Sequence, residues 1–297
     1  MTRLTAKDFP PEVMKLFDKF VHGDISRRDF IESSGKFAAI GGMTGAGFLA
    51  ALTPRFAEAQ QVKPDDKRLK TSWVEIPSPN GYGKVRGYLV QPADAKGKLP
   101  VVLVIHENRG LNPHIEDMAR RVALDNFIAF APDATFPLGG YPGDEDKARE
   151  VFTKLDQNKT REDFLAAANW LVKIPESSGK LGAVGFCYGG GMVNFLATRL
   201  PDLAAAVPFY GPQPSDADAA KIKSPLQAHY AGNDDKITSG WPKYEAVLKA
   251  SGVKAEGYVY PKVEHGFNND TTPRYDEAAA KLAWQRTIAF FNANLRG

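Results

Sequence analysis

The chain has 297 residues, of which 43% are hydrophobic and 25% are charged, and its formal net charge is +3. This composition predicts a folded protein with room for one large α/β domain and excludes a largely disordered chain. The small net charge, with no block of five or more like charges, does not indicate a nucleic-acid partner. We therefore expect small molecules of little or no charge as partners.

The first sixty residues differ in composition from the rest of the chain. Ser26, Arg27 and Arg28 precede an uncharged stretch rich in alanine and glycine at 37–52, and Ala57-Glu58-Ala59 follows it. A twin arginine, a moderately apolar stretch and a small-x-small site together resemble a twin-arginine export signal. We therefore predict a signal over residues 1–59 that engages the twin-arginine export machinery and is cleaved after Ala59. The mature protein would then be periplasmic or secreted.

Two alternatives to a cleaved signal stay open. The segment could be an amphipathic helix packed on a cytoplasmic domain, or it could remain attached as an anchor. Its apolar stretch is shorter and richer in glycine than a transmembrane helix, which needs about 20 apolar residues. Cys187 is the single cysteine and can form no internal disulfide, so cysteine usage does not indicate the compartment.

Residues 60–70 form a polar linker, and residues 71–297 alternate short apolar runs with helical patterns. The turn-rich residues 79–83 separate the first two runs and predict a hairpin. Repeated strand–helix units follow. We therefore predict an α/β fold whose mostly parallel eight-stranded sheet is covered by helices on both faces. The predicted strands are 72–76, 85–91, 100–106, 127–131, 181–185, 204–209, 225–230 and 255–260, and the predicted helices include 112–125, 161–173, 192–200, 239–251 and 275–295.

The third predicted strand ends in the sequence His106-Glu107-Asn108-Arg109-Gly110. Open α/β sheets place their functional sites at the carboxyl ends of their strands, so these polar side chains are candidates for a site. Glu107 would lie at the mouth of such a site. The alternative for Glu107 is a solvated carboxylate at a strand end.

The fifth predicted strand runs into a helix through Gly185-Phe186-Cys187-Tyr188-Gly189. A lone cysteine often fills a core, and the pattern G-x-C-x-G by itself occurs by chance. Its place between a strand and a helix is typical of a nucleophile elbow, where the apex residue has strained backbone angles and small neighbours two positions away avoid a clash. Cys187 is therefore the candidate nucleophile.

A base and an acid for this nucleophile follow further along the chain. Asp234 comes after the seventh predicted strand and His265 after the eighth. The order nucleophile, acid, histidine is that of α/β-hydrolases, so we predict the α/β-hydrolase fold. Asp234 fits Asp-x-x-Ile, in which Ile237 would anchor the loop, and Asp235 remains an alternative.

An oxyanion hole is predicted from the same fold. Its donors would be the backbone N–H of Asn108, after the third strand, and that of Tyr188, directly after the nucleophile. Removal of one such donor typically costs about 3–4 kcal/mol of transition-state stabilisation.

The cysteine elbow, the His-Glu-Asn-Arg-Gly stretch, Asp234 and His265-Gly266-Phe267 together resemble the dienelactone hydrolase family, over about residues 70–295. The resemblance implies an esterase or lactonase of the carboxymethylenebutenolidase type, with no metal or organic cofactor. It also implies a role for Glu107. In this family the corresponding carboxylate contacts the resting thiol and helps to deprotonate it when substrate arrives.

One position departs from the family pattern. Members that act on carboxylated dienelactones carry an arginine four residues beyond the histidine, where this chain has Asn269. We therefore expect neutral small esters or lactones to be preferred over carboxylated ones, with Arg109 the nearest other cation. The remaining candidates for substrate contact are aromatic: Phe136, Tyr141, Tyr210, Trp241 and Phe267.

Two other classes of function are weighed against a hydrolase. A non-catalytic binding or tolerance protein on the same fold would not need the complete triad. A redox sensor at Cys187 would need a resolving cysteine, which the chain lacks. His106, His114 and His229 lack the spacing of metal ligands, so no metal is expected.

Overall fold

A computed structural model of the chain describes residues 4–296; residues 1–3 and 297, the ends of the predicted signal and of the predicted domain, lie outside the described residues. Eight strands form one sheet: β1 (Leu69–Ser78), β2 (Gly83–Pro92), β3 (Leu99–Ile105), β4 (Ile128–Pro132), β5 (Ser177–Phe186), β6 (Ala205–Phe209), β7 (Leu226–Ala231) and β8 (Ala255–Tyr260). All eight predicted strands are present. The largest difference in their bounds is at β5, which begins at Ser177 rather than at residue 181.

The spatial order of the strands is β1-β2-β4-β3-β5-β6-β7-β8. β2 pairs antiparallel with β1 and β4, and every later pair is parallel. The prediction of a mostly parallel eight-stranded sheet is confirmed. Its parallel strands bring the loops after β3, β5, β7 and β8 to one edge.

Helices cover the sheet and precede it. Their bounds are α1 (Pro11–His22), α2 (Arg27–Gly35), α3 (Ala38–Gly41), α4 (Gly45–Leu52), α5 (Phe56–Ala59), α6 (Pro113–Leu124), α7 (Glu145–Thr153), α8 (Gln157–Lys173), α9 (Tyr188–Arg199), α10 (Asp216–Ala219), α11 (Asp235–Thr238), α12 (Trp241–Ala250) and α13 (Glu277–Leu295). The sequence supplies local start signals, as at α6, where the Asn112 side chain accepts a hydrogen bond from the Ile115 N–H and proline occupies the first turn. The helix α7 is among those that the sequence patterns did not predict.

The hydrophobic core lies on both faces of the sheet. β3 is buried along its whole length, so it shows no alternation of polar and apolar residues. Val101 and Leu103 pack with Phe164 of α8 on one face. Val102 packs with Ile115 of α6 on the other. Two helical layers therefore hold the strands whose ends carry the candidate site.

Residues 4–59 form a helical unit, which we call the N-terminal cap. It has a hydrophobic cluster of its own, in which Val13, Phe17 and Phe20 of α1 meet Phe30 of α2 and Phe48 of α4. The two clusters on the sheet contain no residue of the cap. The uncharged stretch 37–52 thus folds as α3 and α4 inside this unit.

The N-terminal cap packs on the domain, as the alternative of an N-terminal helix expects. Export and cleavage after Ala59 remain predictions. Between residues 4 and 296, the structure contains no helix with the length and apolar character needed to span a bilayer.

Candidate active site

Cys187 occupies a sharp turn between β5 and α9. Its backbone angles are φ 54° and ψ −112°, a conformation that residues other than glycine rarely adopt. A Cβ added at Gly185 would lie 2.2 Å from the Gly189 carbonyl oxygen, and one added at Gly189 would lie 2.3 Å from the Ile105 carbonyl oxygen. The predicted strain at the elbow and the need for both glycines are confirmed.

His265 and Asp234 meet beside this turn. The Nδ1 of His265 lies 2.7 Å from Oδ2 of Asp234, which is 5% exposed. Asp235 is exposed and begins α11. Of the two adjacent aspartates, the structure therefore brings Asp234 to the histidine. With Nδ1 hydrogen-bonded to the carboxylate, the other ring nitrogen, Nε2, is left to act on the sulfur, and it has no hydrogen-bond partner among residues 4–296.

A second histidine, which the sequence analysis did not select, also reaches the sulfur. His22 is the last residue of α1, and its Nε2 lies 3.9 Å from Sγ of Cys187. Its ring stands edge-on to that of His265, with centroids 4.5 Å apart. Its Nδ1 lies 2.8 Å from the Asp18 carbonyl oxygen and 3.3 Å from Oδ1 of the same residue. The nucleophile thus has two imidazoles beside it.

The two imidazoles change the ionisation of the thiol. Burial by itself raises the pKa of Cys187, but the charge of His265 and the hydrogen bond from His22 outweigh it and lower the pKa to about 6. Burial lowers the pKa of His265, but the sulfur and Asp234 together raise it to about 9. Near neutral pH the site therefore holds a thiolate beside an imidazolium.

The predicted oxyanion donors lie at the same edge. Tyr188 is the first residue of α9, so its N–H has no partner within the helix. Asn108 follows β3 and lines the cavity in front of Cys187. The Cys187 N–H is already engaged, since it donates to the Phe209 carbonyl at 3.0 Å. Asn108 and Tyr188 remain the candidates.

Glu107 does not contact the resting thiol in the way that the resemblance implies. Its Oε2 accepts a hydrogen bond from Nδ2 of Asn269 at 2.8 Å. Asn269 is fixed in turn, because its Oδ1 accepts from the N–H and hydroxyl of Thr271. Among the described residues no hydrogen bond joins Glu107 to the sulfur. A hydrogen bond from a side chain to the sulfur comes instead from His22.

A cavity of about 130 Å³ lies in front of Cys187. Pockets for drug-sized ligands typically measure about 300–1,000 Å³, so this cavity admits only a small acyl group while the cap is in place. One wall comes from the N-terminal cap and the other from the domain. The lining includes Phe17, Phe20, Val21, His22, Leu49, Glu107, Asn108, Arg109, Cys187, His265, Asn269, Thr272 and Arg274.

Five of the predicted substrate contacts, all aromatic, do not line this cavity. Phe136 packs under the Arg86 guanidinium, and Tyr141 donates its hydroxyl to Glu145. Trp241 packs on Tyr230 and Tyr244, and Phe267 belongs to the core beneath the site. These aromatic rings pack against other side chains of the fold. An aromatic residue type alone does not distinguish such a packing position from a position in a substrate pocket. Tyr210 is buried against His265, with ring centroids 4.9 Å apart, and does not line the cavity.

A second residue that the sequence analysis did not select is Arg274. It lines the cavity, is 8% exposed, and its Cζ lies 5.2 Å from the centre of the Phe17 ring. Its Nε and Nη1 are buried without a hydrogen-bond partner among the described residues. Buried donors left unpaired cost about 1–3 kcal/mol each, so this guanidinium is poised for an anion.

His22, Cys187 and His265 each offer one donor atom, and these atoms lie within 4.8 Å of one another. Donor atoms around one tetrahedral zinc ion, at about 2.0–2.3 Å from the metal, would stand roughly 3.5 Å apart. The separations here reach beyond that value, so we assign no metal to the group. A thiol beside two imidazoles is a candidate for nucleophilic chemistry.

The sheet order and the cysteine elbow define an α/β-hydrolase. Residues 85–295 match the family model described as the dienelactone hydrolase family, and the chain belongs to that family. A carboxylic ester hydrolase is the activity that this membership supports. A second family model, described as YqhI-like, matches residues 1–38.

Similar proteins support the same family. The Escherichia coli (strain K12) protein named "Putative carboxymethylenebutenolidase" is 31% identical over 262 residues, covering 83% of this chain and 94% of that protein. "Putative hydrolase fragment YghX" of the same strain is 52% identical over 114 residues, which are 38% of this chain and 97% of that protein. The crystal structure of a "Putative Dienelactone Hydrolase" from Klebsiella pneumoniae superposes with a TM-score of 0.66 at 28% identity, covering 75% of this chain and 98% of that one.

Proposed function

We propose that the protein hydrolyses small esters or lactones through Cys187, His265 and Asp234 by way of a thioester acyl-enzyme. The observation that carries the proposal is the elbow. It presents the Cys187 sulfur at the edge of the sheet, next to an imidazole that a buried carboxylate orients. A non-catalytic binding protein would have no use for a strained cysteine beside such a pair.

Acylation begins from the thiolate. The Cys187 sulfur attacks the carbonyl carbon, and the Asn108 and Tyr188 N–H groups stabilise the resulting oxyanion. The C–O bond to the alcohol then breaks, and the His265 imidazolium gives its proton to the departing alkoxide. Asp234 holds the ring in place and stabilises the imidazolium until this transfer.

Deacylation runs through the same groups. Neutral His265 takes a proton from water, and the hydroxide formed attacks the thioester carbonyl. The carbon–sulfur bond breaks, the carboxylic acid leaves, and the thiolate and the imidazolium are restored. Protons and electrons balance over the cycle without any redox partner.

The cavity supports an acyl group that carries a carboxylate. The expectation of a neutral substrate rested on Asn269, because the family arginine is absent there. The structure places Arg274 at the cavity instead, with two buried donors unpaired. A substrate carboxylate could accept from these donors, which is the stronger, charge-assisted form of hydrogen bond. We therefore propose carboxylated esters or lactones as the preferred substrates.

The test is a panel of ester and lactone substrates on wild type, Cys187→Ala and Cys187→Ser. We expect turnover in wild type, none in Cys187→Ala, and severe loss in Cys187→Ser, since a hydroxyl is far less acidic than the thiol to which the site is matched. Alanine is tolerated sterically at the elbow, so circular dichroism should report an unchanged fold. Wild-type turnover by Cys187→Ala would overturn the proposal.

A further inference from the structure

The N-terminal cap reaches the nucleophile through the carboxyl end of α1. The last carbonyl groups of a helix have no partners within it, and here the domain supplies them. The Val21 carbonyl accepts from Nδ2 of Asn108 at 2.9 Å, and the Phe20 carbonyl accepts from Arg149 at 3.0 Å. These bonds fix the end of α1 over the site, with His22 as its final residue.

The His22 ring is held in one orientation. Its Nδ1 points to the carbonyl and the carboxylate of Asp18, one turn earlier in α1, which leaves Nε2 directed at the sulfur. Burial lowers the pKa of His22, but Asp18 and the sulfur outweigh it and raise the pKa to about 10. A cation at the carboxyl end of a helix is also favoured by the helix dipole. Asp18 thus orients His22 beside the sulfur as Asp234 orients His265.

Several polar and aromatic contacts attach the cap to the domain, while larger apolar side chains of the cap form a cluster of their own. The contacts include hydrogen bonds to the end of α1, an ion pair of Arg27 with Asp146, one of Lys236 with Asp24, and stacking of Arg149 on Phe20 and of Arg274 on Phe17.

We propose that His22 is a further catalytic residue, supplied by the N-terminal cap, whose protonated Nε2 stabilises the Cys187 thiolate. This inference rests on the proposed function. His22 keeps its proton throughout the cycle, while His265 carries the proton between the alcohol and the water. The thiolate is stabilised twice, before it attacks the ester and when it leaves the tetrahedral intermediate of deacylation.

Charged and titratable groups from several elements share the cavity with the sulfur. Those that line it are His22, Arg27, Glu107, Arg109, Asp144, Glu145, Asp146, His265 and Arg274, and Asp18 and Asp234 contact the two imidazoles. Of these groups, His22 is the one with a hydrogen bond to the sulfur, at 3.9 Å from its Nε2 to Sγ, and the donor atoms of both imidazoles lie within 4.8 Å of Sγ. The ionisation of Cys187 therefore reports on His22 directly.

The experiment measures alkylation of Cys187, the only cysteine, by iodoacetamide as a function of pH in the full-length protein. The midpoint for wild type should lie near pH 6. In His22→Gln the midpoint should move up by about one pH unit, because a neighbouring opposite charge is lost. The alkylation rate at pH 5 should then fall about tenfold. Lys15→Ala, an exposed position on α1, is the matched control and should match wild type.

Hydrolysis supplies a second readout that a purely structural role would not move. The turnover number of His22→Ala should fall at least tenfold, and added imidazole should restore part of it, whereas Lys15→Ala should be insensitive to imidazole. If His22→Gln does not fold, Asp18→Asn, which keeps the imidazole but loosens it, should show the same direction of shift in the alkylation midpoint.

Unchanged alkylation in His22→Gln, or turnover of His22→Ala equal to wild type, would overturn the inference. Such a result would leave the proposed function standing, provided that Cys187→Ala and His265→Ala are inactive. Activity in Cys187→Ala would instead remove the proposed function and this inference together.

Discussion

Replacing Arg274 tests the substrate class that the cavity favours. The guanidinium lines the cavity, and its Nε and Nη1 are buried without partners among residues 4–296. In Arg274→Gln the volume changes little but the charge and the forked donors are lost. A substrate carboxylate would lose its partner, while a neutral acyl chain would lose no polar contact.

The size of the effect follows from the type of bond. Hydrogen bonds to charged groups contribute about 1.5–3 kcal/mol, and about 1.4 kcal/mol corresponds to a tenfold change in rate. Arg274→Gln should therefore lower kcat/KM for the anionic substrate by about 10- to 100-fold. For a neutral substrate of the same length the change should stay within about threefold.

The assay compares two esters of one alcohol, the p-nitrophenyl esters of butyric acid and of succinic acid, which differ in a terminal carboxylate. The ratio of their kcat/KM values cancels any general damage to the site. Arg274→Lys keeps the positive charge but loses the paired N–H donors of the guanidinium. Its ratio of kcat/KM values should lie between those of wild type and Arg274→Gln. An unchanged ratio in Arg274→Gln would refute the reasoning, and so would a wild type that prefers the butyrate.

Three further predictions test other parts of the account. kcat/KM should rise with pH through about 6, as the Cys187 thiol ionises, and should fall above about 9, as the His265 imidazolium loses its proton. A kcat/KM that still rises above pH 9 would contradict the thiolate–imidazolium pair. Asp234→Asn should lower kcat by at least a hundredfold, whereas Asp235→Asn, at an exposed position, should match wild type in the same assay; equal losses would remove the assignment of the orienting carboxylate. Twin-arginine export remains a proposal, and the double substitution Arg27→Lys and Arg28→Lys should keep the protein in the cytoplasm in a fractionation assay. The intact mass of the exported protein would show whether residues 1–59, which include His22, stay attached to the enzyme.

The architecture and the elbow were predictable because their signals are local. Each strand is a short apolar run bounded by turn residues, and the site residues follow strand ends in a fixed order. Glycines two residues before and after Cys187 mark a turn that no larger residue fits, as the close approaches at Gly185 and Gly189 show. The choice of Asp234 also had a local reason, since Ile237 packs against the core and sets the loop.

The contacts across the cavity were not predictable from such signals. His22 contacts the sulfur although the two residues are 165 positions apart in the sequence. Its segment resembles an export signal, because a twin arginine followed by an apolar stretch is typical of export signals and also occurs in this helical unit. Arg274 lies outside any motif that marks a ligand. Phe136, Tyr141, Tyr210, Trp241 and Phe267 do not line the cavity in front of Cys187, because an aromatic residue type does not reveal which face of the fold it occupies.

The central claim is that Cys187 becomes acylated during turnover. Wild-type enzyme mixed with an activated ester and quenched in acid within milliseconds should show, by intact mass and peptide mapping, one acyl group on Cys187 that hydroxylamine removes. His265→Ala should accumulate more of this thioester, since water would lack its base. Turnover without an adduct on Cys187 in either protein, or an adduct on another residue, would contradict the account.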